Sequence, residues 1–281
     1  METAVKLPSV VVRLLQKILF PAQPSARQEE GGSSMQDYLY DGTFEGLLTC
    51  VYHHYYTEKA SGIFPSDEYQ RNMINRFCQV ETDPEKAGKV YVAIENRISK
   101  YDLRRVYKAF KSDVENKEMK ILDYLVLGFR VGGRISRMHA HETVIPIQDA
   151  ERHVSKDIDK YLGLVRFSEC ANGVMYAVVE PETDVLEFIA EHFSDRFRNE
   201  PFILHDTVRG KAVIAHCGRW YISSFTEKDV PAEGSDDKEF RKLWRTYFNQ
   251  IAIKERINPK LQSSIMPKKY WKHLTEMQPD V

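Results

Sequence analysis

Cysteine is scarce and never paired. Cys50, Cys78, Cys170 and Cys217 are the whole complement, and no two stand in a C-x-x-C spacing. That argues against a zinc ribbon, an iron–sulfur cluster or a dithiol redox site, and fits reduced thiols in the cytoplasm. No apolar run approaches the roughly 20 residues of a membrane-spanning helix. The nearest, "VVVRLLQKILF" from Val10 to Phe20, is interrupted by Arg13 and Lys17 and lacks the small-residue cleavage site of a secretory signal. A P-loop is missing too: "GFRVGGR" is a poor match to G-x-G-x-x-G and follows a helical pattern instead of a strand. No Ser or Cys sits in a nucleophile elbow. Net charge is nearly nil, with 40 basic against 41 acidic side chains.

What is present starts abruptly. "PAQPSARQEEGGSS" is linker-like, and patterned sequence begins right after Met35. Residues 1–34 are therefore expected to be a non-native or disordered extension, with Met35 as the natural start and "EEGG" as a translated purine-rich ribosome-binding site. The rival reading is a real amphipathic helix from Val10 to Phe20, which would be marginal in isolation.

From Met35 the periodicity predicts a single α+β domain over 35–281. "YLYDG" is a short strand closed by Asp41-Gly42. "FEGLLTCVYHHYYTE" has helical spacing at Phe44, Leu47, Leu48, Val51, Tyr52 and Tyr55. "INRFCQVETD" reads as extended. Asp83 and Ser99 are N-cap residues for the next two helices, with Pro84 in the first turn of one of them. "KEMKILDYLVLGFRVGG" is a helix stopped by Gly132-Gly133, and "DAERHVSKDIDKYLG" is another. Residues 35–162 are thus mainly helical.

Residues 163–225 change period. Asn172-Gly173 marks a hairpin between "GLVRFSE" and "GVMYAVVE". "DVLEFIAEHFSDRFR" is a helix with Leu186, Ile189, Ala190, Phe193 and Phe197 on one stripe. "FILHDT", "KAVIAHC" and "WYISSF" form a meander. The expected fold is an antiparallel sheet with a central helix inserted, preceded by a helical region and followed by a basic helical tail over 236–281. In that tail "KEFRKLWRTYFNQIAI" predicts a helix with Phe240, Leu243, Trp244, Tyr247, Phe248 and Ile251 inward, and Arg241 and Arg245 side by side outward.

Charge is distributed unevenly. Lys238 to Lys272 holds ten Lys or Arg against Glu239 and Glu255, a balance of plus eight, so the rest of the chain sums to minus nine. Such a tail suits a polyanion, or pairs with the acidic body. Pro267 marks a first helical turn that would place Lys268 and Lys269 at the positive end of a helix dipole, where a bound anion would gain from both. Arg241, Arg245, Lys260, Lys268, Lys269, Tyr270, Trp271 and Lys272 are the candidate nucleic-acid contacts. The two aromatics serve either as a stacking platform for a base or as anchors of the tail in the core.

"YLYDGTFEGLLTCVYHHY", "YLGLVRFSE…GVMYAVVEPETDVLEFIAEHFSDRF", "FILHDTVRGKA" and "LWRTYFNQIAIKERINPKLQSSIMPKKYWKHL" together resemble a bacterial family described as "probable DNA metabolism protein", from about Met35 to Leu274. The resemblance implies work beside a putative radical-SAM DNA repair protein, and kinship with a domain joined to uracil-DNA glycosylase in related proteins. It thereby implies DNA repair or modification rather than a known reaction. The radical-SAM CxxxCxxC loop is absent here, and no glycosylase water-activating loop is found. Relatives often show Glu-x-His before the "G-F-x-R-F" strand. Asp157 and Asp159 stand at the matching positions here, and Leu164 replaces the Phe.

Three polar groups remain. "MHAHE" offers His139, His141 and Glu142 but no third spaced ligand elsewhere, so no metal site and no cofactor are expected. His192 and Arg196 lie four apart on a helix, and "LHDTVRGK" supplies Asp206 and Arg209. Those four are the candidate catalytic cluster, with the alternative that Asp206 pairs with Arg196 or Arg209 in a structural network. Arg166 is a further candidate for that cluster, or a plain sheet-face arginine. The leading expectation is a cytoplasmic DNA-binding accessory protein acting with the radical-SAM enzyme. The alternatives are a nucleic-acid-processing enzyme using the His/Arg/Asp cluster, and a protein–protein adaptor without DNA contact.

Overall fold

The computed structural model describes residues 36–71, 75–232, 234, 237–253 and 256–278. The expected extension over 1–34, the rival helix from Val10 to Phe20 and the start at Met35 lie outside them. The chain divides at Arg152/His153 into two compact units. No helix among the described residues is long and apolar enough to cross a membrane.

The first unit opens with β1 (Gln36–Tyr40), α1 (Phe44–Tyr56), β2 (Ala60–Pro65) and β3 (Arg76–Gln79). The three strands form a parallel sheet in the order β2-β1-β3. The sequence reading missed β2, because "ASGIFP" carries Gly62 and Pro65 and shows no clean alternation. Helices α2 (Pro84–Arg97), α3 (Lys100–Phe110) and α4 (Lys117–Val131) follow. Asp83 caps α2 by accepting from the amides of Glu85 and Lys86, and Ser99 caps α3 by accepting from that of Asp102. Gly132, at φ 67°, ends α4, and a 3-10 turn covers Gly132–Arg137. The core gathers Leu47, Val51, Ile94, Val106, Ile121 and Leu125, all fully buried. Each contributes about 1.5–3 kcal/mol by leaving water. Beneath it Asp102 accepts from Ser99, Tyr124 and Ser136 at 2.6 Å each, while the buried Arg105 reaches Tyr124 at 3.0 Å and Glu151 at 2.7 Å.

The division between the units falls inside α5 (Ile145–Leu164). The second unit continues with β4 (Ser168–Glu169), β5 (Met175–Val179), α6 (Leu186–Arg196), β6 (Phe202–Asp206), β7 (Lys211–His216) and β8 (Arg219–Ser224), paired in the order β4-β5-β6-β7-β8. The α+β class is as expected, but the sheet is mixed. β5 and β6 run parallel, with Val179 opposite Asp206, while the other pairs are antiparallel. The inserted helix is the reason. It carries the chain back along the sheet, so β6 starts again from the end where β5 started. Leu186, Ile189, Ala190 and Phe193 of α6 pack with Phe202, Leu204 and Val213 in the second core.

The tail forms α7 (Asp237–Ile251), α8 (Pro259–Ile265) and 3-10 turns at Lys268–His273 and Thr275–Met277. The expected orientation of α7 is inverted. Phe240, Leu243, Trp244, Tyr247 and Ile251 are exposed, Leu243 by 63%, whereas Arg241, Arg245 and Phe248 are half-buried. Asp237 accepts from the amide of Glu169 and from Arg241, and Arg241 also donates to Ser168 at 2.8 Å. These bonds seat the polar side of α7 on β4, the edge strand, whose open backbone groups need partners. The apolar side finds no seat in the core, where α6 and Tyr270 are already packed.

Candidate functional site

Two loops leave the sheet side by side, because β5 and β6 are parallel and end together. The first, residues 180–184, joins β5 to α6, and the second follows Asp206. The carboxyl edge of parallel strands is where open α/β sheets gather ligand-binding groups. Here it gathers charge from four parts of the second unit.

Asp206 is fully buried. It accepts from the amides of Val208 and Arg209 at 3.0 and 3.2 Å and from the Arg209 guanidinium at 3.1 Å. Arg209 also donates to the carbonyls of Pro181 and Glu182. Glu182 accepts from Lys269 on one oxygen and faces His153 Nε2 at 3.1 Å with the other. Glu180 pairs with Lys272 and lies 3.4 Å from His273. Thr183 donates to Asp157, and Lys211 to Asp184. Hydrogen bonding to Lys272 holds the Glu180 carboxyl below its ordinary value, and Lys269 does the same for Glu182. Tyr270 is 4% exposed, and its ring meets that of Tyr161 edge-on at 5.4 Å. Burial raises the Tyr270 phenol, reinforced by Asp157.

The two candidate sets thus partly converge. Asp206 and Arg209 sit at the edge to which Lys269, Tyr270 and Lys272 also come. His192 and Arg196 do not join them. Both are exposed on α6, with His192 against Phe193 and Arg196 over Phe197. Arg166 is elsewhere again, bonded to Glu276 at 2.7 Å. Asp206, with three donors already on it, is an anchor for the turn at Arg209.

The tail cations divide. Lys269 and Lys272 are held by Glu182 and Glu180, and Arg241 by Asp237. Lys268 leans on the Trp271 ring at 5.8 Å, and Lys260 is exposed with no carboxylate partner among the described residues. Arg245 is half-buried on the packed side of α7. Trp271 is half-buried and donates to the Met266 carbonyl at 2.9 Å.

His139 and His141 serve their own turn, His139 with Gln148 and His141 with the Thr143 amide. The described residues bring together a different metal-capable trio, His153, Asp157 and Glu182, whose ligand atoms lie within 4.8 Å of one another. Its donors are already spent on Lys269, Thr183 and each other. Sequence reasoning missed His153, Glu180 and Glu182. The available signals were the i, i+4 spacing of His153 and Asp157 on α5, and a Glu-x-Glu at the end of a strand.

The surface that the tail leaves open is apolar. Phe240, Leu243, Trp244, Tyr247 and Ile251 line one side of α7, and Ile253, Ile257, Leu261 and Ile265 are exposed after it. Trp244 Nε1 donates to Glu276 at 3.0 Å and Gln262 Nε2 approaches Met277 Sδ at 3.9 Å, so α7 and α8 border the same turn at Thr275–Met277.

No curated protein and no solved structure is significantly similar to the chain. Residues 115–276, more than half of the 281, match the model of a family described as a domain of unknown function, and on that match the chain belongs to the DUF4130 family.

Proposed function

We propose that this chain is an accessory protein of DNA repair or modification, which docks an acidic partner protein through the exposed apolar side of α7 and α8. The observation that carries the reading is the inversion of α7. A helix normally buries its apolar stripe, and large apolar patches left in water mark interaction surfaces. Covering five side chains of this size would contribute on the order of 5–10 kcal/mol before the costs of association.

Charge selects the occupant. The region from Lys238 to Lys272 carries plus eight by sequence, and stays positive after Lys269, Lys272 and Arg241 are paired with Glu182, Glu180 and Asp237. A second copy would set one such region against another, and like charges oppose that contact. A partner with an apolar groove and an acidic rim meets both features. Lys242, Lys260 and Lys268 have no carboxylate partner among the described residues, so their charge is not neutralised there. The resemblance to the DNA metabolism family supplies the partner to try first, the radical-SAM DNA repair protein.

The test mixes the two purified proteins and measures complex formation by size exclusion and calorimetry. Leu243→Asp with Tyr247→Asp should abolish the complex and leave folding intact, and nuclease should have no effect. A complex untouched by those substitutions, or no complex at all, removes the reading. One that nuclease dissolves makes DNA the bridge, in line with the direct grip first expected of the tail.

A further inference from the structure

A second surface, confined to the first unit, has the opposite composition: aromatic rings with unpaired arginines. Tyr52, Tyr55 and Tyr56 share one side of the last turns of α1. Tyr52 and Tyr56 stack at 4.4 Å between centroids with 25° between planes, and Tyr55 meets Phe129 of α4 edge-on at 5.9 Å. The Arg97 guanidinium, at the end of α2, lies 5.5 Å from the centre of the same Phe129 ring. Tyr55 is 47% exposed and Tyr56 59%.

Glycine makes this convergence possible. A Cβ on Gly133 would lie only 3.0 Å from the Ile98 carbonyl, a tight approach, while Gly132, 3.5 Å from the Arg97 carbonyl by the same measure, is needed for its positive φ of 67°. The bare backbone lets the end of α4, which carries Arg130, close on the end of α2, which carries Arg97. Burial raises the Tyr55 phenol while the charges of Arg97 and Arg130 pull it back down, so both cations act on this one ring. Arg97, Arg130, Arg134 and Arg137 are exposed, and none has a carboxylate partner among the described residues. Each helix end favours a cation through its dipole. That accounts for an arginine at each place, but not for tyrosines held in water between them.

We propose that the ends of α1, α2 and α4 form a binding site for single-stranded nucleic acid, in which Tyr55 and Tyr56 stack bases while Arg97 and Arg130 hold the phosphates between them. Ring faces alternating with guanidinium groups match the two chemistries of a strand. A duplex keeps its bases stacked on one another and offers the tyrosines nothing. The exposed rings here carry phenol hydroxyls and stand beside a guanidinium group, which suits bases and phosphates better than the apolar interior of a lipid surface. The site shares no residue with the docking side of α7, and it stands or falls separately.

The test titrates the full chain with fluorescein-labelled 12-nucleotide DNA and RNA single strands, the DNA duplex, heparin and phosphatidylserine vesicles at several salt concentrations. Single strands should bind more tightly than the duplex. Arg97→Ala with Arg130→Ala should flatten the salt dependence by about 1.4 in log–log slope, for two phosphates on a single strand. Tyr56→Ala should weaken binding on the order of tenfold. All of these side chains are exposed, so the melting temperature should hold, and Arg130→Gln serves as a gentler control. The DNA and RNA arms decide which strand is preferred. Failure to bind any single strand at low salt overturns the proposal, as does binding indifferent to these substitutions. Equal binding of heparin with no effect of Tyr56→Ala would reduce the site to a polyanion patch. Binding to vesicles alone would make it a membrane contact.

Discussion

Arg209 lies 3.1 Å from the buried carboxylate of Asp206 and, with its other donors, ties that strand end to the carbonyls of Pro181 and Glu182. One guanidinium thereby joins the two loops that leave the parallel strands. Asp206→Ala removes three acceptor contacts and leaves the guanidinium, which is partly in water, with the Pro181 and Glu182 carbonyls but no carboxylate. The expected loss is roughly 2–4 kcal/mol of folding stability, read by urea denaturation, with Asp206→Asn losing less. An Asp206→Ala protein as stable as the parent would return Asp206 to the catalytic candidates.

The carboxy-terminal segment is held by pairs that acid should break. Glu180 and Glu182 are depressed below the ordinary 4.5 by Lys272 and Lys269. Depressed carboxylates contribute stability that is complete above the unfolded value and lost as pH falls through the folded one. The contacts should therefore hold at neutral pH and be lost as pH falls below the ordinary 4.5 and through the depressed folded values. Both glutamates are partly exposed, so added salt should weaken the effect. Amide hydrogen exchange of residues 268–273 against pH is the measurement, and protection unchanged at pH 3 would contradict it.

Much of the fold is legible in the chain because local signals and global packing agree. Asp83 and Ser99 cap the helices they precede, Gly132 ends α4, and Gly173, at φ 75°, turns the hairpin. Two features escaped. β2 is interrupted by Gly62 and ends on Pro65, and its pairing with β1 depends on residues some distance away in sequence. The orientation of α7 escaped because a hydrophobic stripe says that a helix wants cover without saying where the cover is. The site was half legible for a related reason. Asp206 and Arg209 are neighbours in sequence, whereas Lys269 reaches Glu182 across 87 residues.

The polar network of the first unit carries its own prediction. Asp102 accepts from three hydroxyls and lies 3.4 Å from the buried Arg105. Asp102→Ala would leave that arginine with Glu151 as its remaining carboxylate and strand the Tyr124 hydroxyl. Removing one partner of a buried pair costs about 3–5 kcal/mol. Differential scanning calorimetry should show a large drop in melting temperature, and a drop of only a degree or two would mean the network is dispensable.

A matched pair of substitutions tests the inversion of α7 without any partner. Leu186 is fully buried in the second core, and Leu243 is 63% exposed on α7. Leu186→Ala should cost roughly 2–5 kcal/mol through lost burial and the cavity left behind. Leu243→Ala should stay within about 0.5 kcal/mol, as surface changes usually do, and Leu243→Lys should improve solubility by breaking the apolar side. The orientation first expected from periodicity makes the opposite forecast, because it places Leu243 in the core, where lysine would be ruinous. Chemical denaturation of the Leu243 and Leu186 variants therefore decides between the two orientations. If Leu243→Lys unfolds the protein, α7 is turned the other way, and the docking surface assigned to it is the core itself.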